Sequence, residues 1–330
     1  MKQYLLPKDG QFYKTNLHCH TTVSDGKQTP EEVKESYKAQ GYAAVCFTDH
    51  EVLISQKELC DKDFVALHGY EIAIKKDIAH HTGCFMPVYH FNLIAKKQDN
   101  LTAPLFYYDN PSYPGAAKSF RDKVQFEDTI QGYKYETEWL NEYIKTVSER
   151  GFLVTYNHPQ WSLQNLNDYI GLRGLHAIEV INGGCAREHY DSTSIHFEQM
   201  LRAGQKVLPV GGDDNHNMAD RFLAWTMIKA KDLTYDALME AYEKGACYAS
   251  EGPELLELFL EDGKIHVKTS PAARIILCGE GRYRISVTDT DEAVFDYAPE
   301  QFGRYFRIEV RDAKGKHAFS RAYELAEIQA

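Results

Sequence analysis

Two histidines separated by one residue mark the part of the chain that could do chemistry. His18 and His20 are followed by Asp25, which precedes a glycine. In a β-strand, residues two apart project from the same face, so the two imidazoles would point together. Two imidazoles from one strand and a carboxylate from the next loop are the beginning of a metal site.

Short apolar runs further along the chain end in residues of the same kinds. The runs and the residues that follow them are 43–47 with Thr48, Asp49 and His50; 64–67 with Gly69, Tyr70 and Glu71; 152–156 with Asn157, His158 and Pro159; 177–181 with Asn182, Gly183 and Gly184; and 207–210 with Gly211, Gly212, Asp213, Asp214, Asn215 and His216. Because α/β barrels build their sites at the carboxyl ends of their strands, we expect these side chains to surround one site.

The elements that must position these side chains follow a βαβα pattern over residues 15–250. Helices are predicted from Pro30, with Thr29 as the cap, and over 136–150, 186–203 and 235–244. The strand-like runs are short and nearly continuous in apolar character, as in strands buried on both faces. The pattern predicts a parallel sheet or an α/β barrel.

Two segments depart from this pattern. Residues 96–135 contain three prolines and no period, which predicts an inserted loop beside the site, either a substrate lid or a surface excursion. From residue 251 onward, alternating runs and the hairpin signal Asp262-Gly263 predict a small antiparallel β domain. We therefore divide the chain into a barrel over 1–250 and a small β domain over 251–330.

Composition narrows the class of protein. A net charge of −11 argues against binding of a nucleic acid duplex across a broad face. No signal peptide and no membrane-spanning run is evident, and the seven cysteines form no CxxC pair, which is typical of reduced thiols. We expect a cytoplasmic protein that acts on a small molecule and has no membrane contact.

Taken together, the motifs resemble the PHP family, named for polymerase and histidinol phosphatase, over about residues 15–220. The residues that carry the resemblance are His18, His20, Asp25, Asp49, His50, Glu71, His80 or His81, His158, Asp214 and His216. The resemblance implies a distorted (β/α)7 TIM-like barrel that holds two or three divalent ions. Residues 252–256 and the β tail resemble the branch of the family that includes carbamate-type hydrolases.

The family pattern implies a role for each metal ligand. His18 and His20 would bind one ion with Glu71 and Asp214. Glu71 would bridge to a second ion held by His80 and His158. Asp25, His50 and His216 would hold a third. The spacing to Gly83 favours His80, since His81 would face the opposite side of a strand.

The residue types are consistent with these roles in their own right. Imidazole and carboxylate ligands suit Zn, Mn or Fe, and adjacent divalent ions lower the pKa of a bridging water to give a hydroxide nucleophile. Asp214, His216 and Asp25 are the predicted catalytic residues, acting through the metal centre. Asp49 either orients a ligand imidazole or caps a helix.

Other polar residues are assigned by their context. Gly183, Gly184 and Arg187, at the start of a predicted helix, and Trp161, after His158, are the candidate substrate-binding residues. The alternatives are a plain tight turn with a surface arginine, and simple packing of the indole. Three histidines in or near apolar runs are predicted to be ordinary core or rim groups: His68, His90 and His176.

The sequence thus predicts a metal-dependent hydrolase, first of all a phosphoesterase acting on a small phosphorylated substrate. The first alternative is a carbamate, ester or amide hydrolase that uses the same metal centre. The second is a noncatalytic, metal-stabilised binding module.

Overall fold

The computed structural model describes residues 2–76 and 86–328 as a mixed α/β fold dominated by one large sheet. Its strands are β1 Gln3–Tyr4, β2 Gln11–Asn16, β3 Ala44–Phe47, β4 Val65–Lys75, β5 Val88–Ala95, β6 Thr102–Ala103, β7 Gln125–Phe126, β8 Phe152–Tyr156, β9 Ala177–Asn182, β10 Leu208–Gly212, β11 Trp225–Ala230, β12 Cys247–Ser250, β13 Leu255–Glu261, β14 Lys264–Gly279, β15 Arg284–Asp296, β16 Tyr305–Arg311, β17 His317–Ser320 and β18 Tyr323–Glu324. Its α-helices are α1 Pro30–Ala39, α2 Ala117–Phe120, α3 Thr137–Glu149, α4 Leu166–Tyr169, α5 Gly183–Arg187, α6 Ile195–Arg202, α7 Tyr235–Glu243 and α8 Pro299–Phe302.

Side-chain caps mark the start of several helices. Thr29 accepts a hydrogen bond from the Glu32 amide, and the Glu32 side chain accepts one from the Thr29 amide, so the predicted cap of α1 is confirmed. The Thr234 side chain caps α7 by accepting a hydrogen bond from the Ala237 amide. The predicted helix over 186–203 is wrong as a single element, since the chain forms α5 and then α6 with a break between them.

Seven strands surround the region of interest, in the order β2-β3-β4-β5-β8-β9-β10. β2, β3 and β4 are parallel, β5 is antiparallel to both of its neighbours, and β8, β9 and β10 are parallel. Beyond β10 and β2 the chain forms one isolated parallel bridge, between Cys19 and Asn215. The predicted α/β class is confirmed. The predicted barrel is not confirmed, because a single bridge, and not a continuous ladder of hydrogen bonds, joins the chain after β10 to the chain after β2.

The C-terminal strands extend the same sheet. β11 pairs with β2 and with β12, and β12 pairs with β17, which leads into the antiparallel strands β13 to β18. The predicted Asp262-Gly263 turn joins β13 to β14, and both residues have positive φ, as a two-residue hairpin turn requires. β14 is one long strand that has an irregularity in its pairing with β15 between Lys268 and Ala272.

The largest cluster of buried side chains lies between the sheet and the helices that follow β7. It contains Phe91 and Leu93 of β5, and Leu140, Ile144 and Val147 from one face of α3. Residues 96–135 contribute Ala103, Phe106, Ala117 and Val124 to this cluster and form the small parallel pair β6–β7. Among the described residues, no helix combines the length and the hydropathy needed to cross a bilayer.

Candidate metal centre

Polar residues from six strands converge at one edge of the sheet, and all of them except His90 were predicted as site residues. The residues, in chain order, are His18 and His20 after β2, His50 after β3, Glu71 in β4, His90 in β5, His158 after β8, and Asp214 and His216 after β10. Asp25 joins them from the loop that follows His20. The clustering follows from topology, since the loops at the ends of neighbouring strands share one edge of a sheet.

One set of ligand atoms, called here the inner group, consists of His18, His20 and Asp214. The Nε2 atoms of the two histidines lie 3.1 Å apart, and both lie close to Asp214 Oδ1, at 3.3 Å from His18 and 3.1 Å from His20. Both imidazoles are fully buried. Two ring nitrogens and a carboxylate oxygen aimed at one point form a donor arrangement that suits a divalent cation.

A second set, the middle group, consists of Glu71, His90 and His158. Glu71 Oε1 lies 3.2 Å from His90 Nδ1 and 3.6 Å from His158 Nε2. His90 was expected to be a core or rim residue, and the structure corrects this. The predicted ligand His80 and its alternative His81 lie outside the described residues.

The outer group consists of His20, Asp25, His50 and His216, whose ligand atoms all lie within 4.8 Å of one another. Asp25 Oδ1 is 3.4 Å from His216 Nε2 and 3.9 Å from His20 Nδ1, and Asp25 Oδ2 is 3.8 Å from His50 Nε2. The Asp25 and His216 side chains are 29% and 33% exposed. This group is the one nearest to solvent.

Glu71 and Asp214 connect the groups. Besides its contacts in the middle group, Glu71 has one oxygen 3.3 Å from His18 Nε2 and the other 3.3 Å from His20 Nε2. Asp214 Oδ2 lies 3.5 Å from His158 Nε2. Both carboxylates are therefore placed where they could bridge two ions.

Charge within the site fits a cation centre. Burial alone would raise the pKa of Glu71, but the charges of His90, His18 and His50 hold it well below its ordinary value. Burial alone would lower the pKa of His20, but hydrogen bonds and charge from Asp214 and Glu71 raise it to about 10. The ionised carboxylates thus demand positive charge, which either protons on the imidazoles or divalent ions can supply.

One orphaned atom supports the same conclusion. Within the described parts of the chain, His20 Nδ1 is buried and has no hydrogen-bond partner, and it faces Asp25 Oδ1 across 3.9 Å. Buried polar atoms normally find partners, so a ligand between these two atoms would satisfy both. The residues present therefore fit divalent metal ions.

Neighbouring polar residues fix the orientation of the ligands. Glu179 Oε1 lies 2.8 Å from His18 Nδ1, which leaves Nε2 as the atom that faces the inner group. Asn157 donates to Glu71 Oε1 at 2.7 Å, and Asn182 donates to Asp214 Oδ2 at 3.2 Å. Sequence reasoning missed Glu179, although an acidic residue in the middle of the apolar run 177–181 was a signal available for it.

Asp49 has a role that neither of its two predicted assignments describes. Its carboxylate accepts hydrogen bonds from the Thr21 amide at 2.7 Å and from the Ser24 amide at 3.1 Å, and from both of their hydroxyls. It therefore anchors the loop that leads to Asp25, and it contacts neither an imidazole nor the start of a helix.

Two ligands sit in an unusual backbone conformation. His158 has a φ of 24° and Asp214 a φ of 49°, in the region that side chains other than glycine rarely adopt. Such conformations persist only where the surroundings determine them, and they concentrate at functional sites.

One family model matches part of this chain. Residues 16–177 match the family model of the PHP domain. The match covers just under half of the chain. The match contains His18, His20, Asp25, His50, Glu71 and His158, and it ends before Asp214 and His216. No curated protein matches the chain.

Solved structures with related folds are distant. A two-domain protein from Bacteroides vulgatus that contains a predicted PHP-like metal-dependent phosphoesterase is 13% identical, with 97% of this chain and 98% of that chain covered and a TM-score of 0.45. A candidate metal-dependent phosphoesterase from Bifidobacterium adolescentis is 18% identical, with 65% and 90% covered and a TM-score of 0.37. A lesion-specific endonuclease from Pyrococcus furiosus is 12% identical, with 71% and 56% covered and a TM-score of 0.42.

A cavity of about 340 Å³ opens onto the ligands of the PHP domain. Besides ligand residues of all three groups, its lining includes Trp161, Gly184, Arg187 and Glu188. Three of the four predicted substrate-binding residues therefore line it, and Gly183 does not. Among the described residues that line the cavity, none comes from the predicted lid at 96–135.

Contacts within the protein constrain these cavity residues. Arg187 Nη1 donates to Asp220 Oδ1 at 2.8 Å, and Trp161 Nε1 donates to Glu188 Oε2 at 2.8 Å. The amide of Gly184 donates to the Asp213 carbonyl at 2.7 Å. That amide is therefore already hydrogen-bonded within the protein, and Gly184 lines the cavity without a free amide to offer a ligand.

Proposed function

We propose that this chain is a metal-dependent phosphoesterase that acts on a small phosphorylated molecule. The observation that carries the proposal is the convergence of three groups of imidazole and carboxylate ligands, joined by Glu71 and Asp214, beneath a cavity that also contains Arg187. The PHP domain match and the metal-dependent chemistry of that ligand set support hydrolysis as the reaction class.

The three groups would hold two or three divalent ions. Zn, Mn and Fe all suit this mixture of histidine and carboxylate ligands. We assign His18, His20, Asp214 and Glu71 to one ion and Asp25, His50 and His216 to another. For the ion shared by Glu71 and His158 we assign His90, because His90 Nδ1 lies 3.2 Å from Glu71 Oε1.

Divalent ions bound here would acidify a water molecule and neutralise the negative charge that develops on the phosphoryl oxygens. The chain's own residues would bind the substrate and orient the metal ligands. Arg187 would bind a phosphoryl oxygen, and its pairing with Asp220 fixes the direction of the guanidinium. Glu179 keeps the His18 ring in one orientation, so that Nε2 is the nitrogen presented to the ion.

The charge of the cavity limits the substrate. Arg187 is the one arginine, and no lysine accompanies it, among the described residues that line the cavity. The divalent ions would neutralise the carboxylates at the metal centre, but Arg187 is already paired with Asp220, so a second phosphoryl group away from the ions would meet no free cation among these lining residues. We therefore infer a substrate with one phosphoryl group joined to an uncharged remainder.

The same metal centre would also support hydrolysis of a carbamate, ester or amide. The observation that favours this alternative is the ion pair between Arg187 and Asp220, because it already neutralises the cavity's arginine. A neutral carbonyl substrate needs no free cation.

The larger architecture is part of the proposal. We infer that the seven strands from β2 to β10 close as a distorted (β/α)7 barrel through the Cys19–Asn215 bridge. Residues 1–250 would form this catalytic domain and residues 251–330 a small β domain attached to its sheet. The described cysteines are free thiols, which supports the expected cytoplasmic location.

The test is turnover by metal-reconstituted protein on a matched panel of phosphomonoesters, phosphodiesters, nucleotide bisphosphates and aryl carbamates. We expect release of phosphate from substrates with one phosphoryl group, and a loss of at least about 100-fold in Asp214→Ala because two ion sites lose a shared ligand. Far-UV circular dichroism should show that the variant remains folded.

Each other result has a defined meaning. Cleavage of carbamates alone would replace the phosphoesterase with the alternative hydrolase. Activity that persists in Asp214→Ala would come from a contaminant. Silence across the panel with ions bound would favour a noncatalytic binding module.

A further inference from the structure

Residues 96–135, called here the insertion, contact two of the loops that carry ligands of the outer group. These are the loop that ends at Asp25 and the loop that carries His50. The contacts come from two separate points along the insertion, around Gly115 and at Tyr133. Any role of the insertion in metal binding rests on the proposed function, since it concerns an ion bound by the outer group.

The first contact fixes the backbone beside Asp25. The Ala116 amide donates to the Ser24 carbonyl at 2.6 Å. Gly115 has a φ of +52°, and a Cβ atom placed on it would lie 2.1 Å from the Ser24 oxygen and 2.7 Å from the Asp25 Cα. Only glycine allows the insertion to come this close, so the approach leaves the Ser24–Asp25 backbone little room to move.

The second contact fixes the residue that follows His50. Tyr133 Oη donates to Glu51 Oε2 at 2.7 Å, and the Ala73 amide lies 3.4 Å from Glu51 Oε1. The Glu51 amide donates to the Glu71 carbonyl at 2.8 Å. Glu51 is buried and has a φ of 60°, so its backbone conformation depends on these contacts.

Apolar packing joins the same partners. Val23 precedes Asp25 by two residues, and Val52 follows His50 by two residues. Both belong to the buried cluster that contains Ala103, Phe106 and Ala117 of the insertion. The insertion therefore holds both loops through hydrogen bonds and through shared core.

The remaining ligands are held by other parts of the chain. His18 is oriented by Glu179, and Asp214 receives a hydrogen bond from Asn182. His158 Nδ1 is hydrogen-bonded to Ser162 at 3.1 Å. None of these contacts involves residues 96–135. Glu71 meets Glu51 through its backbone carbonyl, whereas its carboxylate is held by Asn157 at 2.7 Å. A change in the insertion should therefore affect the outer group most strongly.

We propose that the insertion sets the affinity of the outer group for its metal ion by positioning Asp25 and His50, with Tyr133 as the positioning residue. Tyr133 acts through Glu51, whose carboxylate accepts its hydrogen bond, and Glu51 directly follows His50 in the chain. The insertion is thus a support for one ion site, and the enzyme can lose that ion while it keeps the others.

The experiment is a titration of chelator-stripped protein with Mn²⁺ by isothermal calorimetry, with bound ions counted by mass spectrometry. Asp25→Ala identifies which binding step belongs to the outer group. In Tyr133→Phe we expect that step to weaken about tenfold, the size of effect seen when a group supporting a metal ligand is removed, and the other steps to stay within about twofold.

Tyr108→Phe is the matched control. It also removes a tyrosine hydroxyl from the insertion, but that hydroxyl bonds to Asp122 within the same segment. All Mn²⁺ steps should therefore equal those of the wild type. Gly115→Ala is the second variant and should weaken the same step as Tyr133→Phe, by displacing Ser24 and Asp25.

The outcomes separate this proposal from the proposed function. Equal affinity at every step in Tyr133→Phe and in the wild type would overturn the role of the insertion and leave the hydrolase intact. Weakening of every step alike, or an equal loss in Tyr108→Phe, would also overturn it. A wild type that binds no ion would instead overturn the proposed function.

Discussion

The carboxylate of Glu71 lies within 3.6 Å of five imidazoles, which is a strong constraint on a single side chain. The five are His18, His20, His50, His90 and His158. A buried carboxylate is costly unless positive charge is close to it, and the five ring nitrogens around Glu71 are also donors that a divalent ion accepts. A divalent ion would therefore neutralise the carboxylate and bind the imidazoles at the same time.

A histidine away from the site governs part of the pH dependence of stability. Burial lowers the pKa of His176 from 6.5 to about 4, because the imidazolium is costly to bury. Between those two values the unfolded chain binds the proton and the folded chain does not. Stability supplied by the neutral ring is therefore present above pH 6.5 and is lost as the pH falls toward 4.

We expect the free energy of unfolding of the wild type to fall by about 2 kcal/mol more than that of His176→Leu between about pH 7 and pH 5. Urea titrations of both proteins at the two pH values, with the same metal content, would measure this. Parallel losses in the two proteins would show that His176 titrates normally in the fold.

At the level of single residues, sequence reasoning found site residues that follow an apolar run and missed a site residue that lies inside one. His50, Asp214 and His216 could be selected because they follow apolar runs, and they lie together as expected. His90 was missed because it stands inside an apolar run. The sequence did contain a signal for it. His90 and Asn92 are polar residues two apart in an apolar run, so they share one face of β5.

Among the elements, the short helix α5 packs closely, through its first residue, against the loop that follows β10. A Cβ on Gly183 would lie 2.8 Å from Asp213 Oδ1 and 2.9 Å from the Asp220 carbonyl. Gly183 is thus required by packing around Asp213, whatever role the neighbouring cavity has in binding substrate.

We expect Gly183→Ala to lower the free energy of unfolding by about 1–3 kcal/mol, as overpacking of a tight site does. The control is Gly281→Ala, since a Cβ there meets no atom within 4 Å and stability should change little. Thermal and urea unfolding of both variants would measure the difference. Equal stability of the two variants would contradict the packing role.

Element boundaries were predictable where strong local signals existed. The segment 152–156 and the start of α1 at Pro30 agree with the structure, because an apolar run and a capping residue each mark a boundary locally. β5 was not predicted, and the helix over 186–203 was predicted as continuous. Both errors concern tertiary pairing and chain breaks, which period and composition do not encode.

Across the whole molecule, a buried ion network joins the C-terminal strands to α6. Arg307 of β16 is 1% exposed and pairs with Glu198 of α6, which also accepts from Arg284 of β15 at 2.8 Å. Glu309 provides a weaker contact, 3.5 Å from Arg307. A boundary drawn at residue 250 therefore crosses both a continuous sheet and this network.

We expect Glu198→Gln to lower the free energy of unfolding by about 3 kcal/mol, because it leaves the buried Arg307 charge without its main partner. Glu324→Gln breaks the exposed pair with Lys206 and should cost no more than about 0.5 kcal/mol. Urea unfolding gives both values. Equal losses would show that the network contributes no more than a surface pair.

The bridge between Cys19 and Asn215 has a consequence for when the protein can first hold metal. Asn215 donates to the His20 carbonyl across 195 residues of sequence. During synthesis at about 5–20 residues per second, His20 leaves the ribosome about 10 to 40 seconds before Asn215 does. The inner group is incomplete throughout that interval, so metal loading is a late event in the life of each new chain.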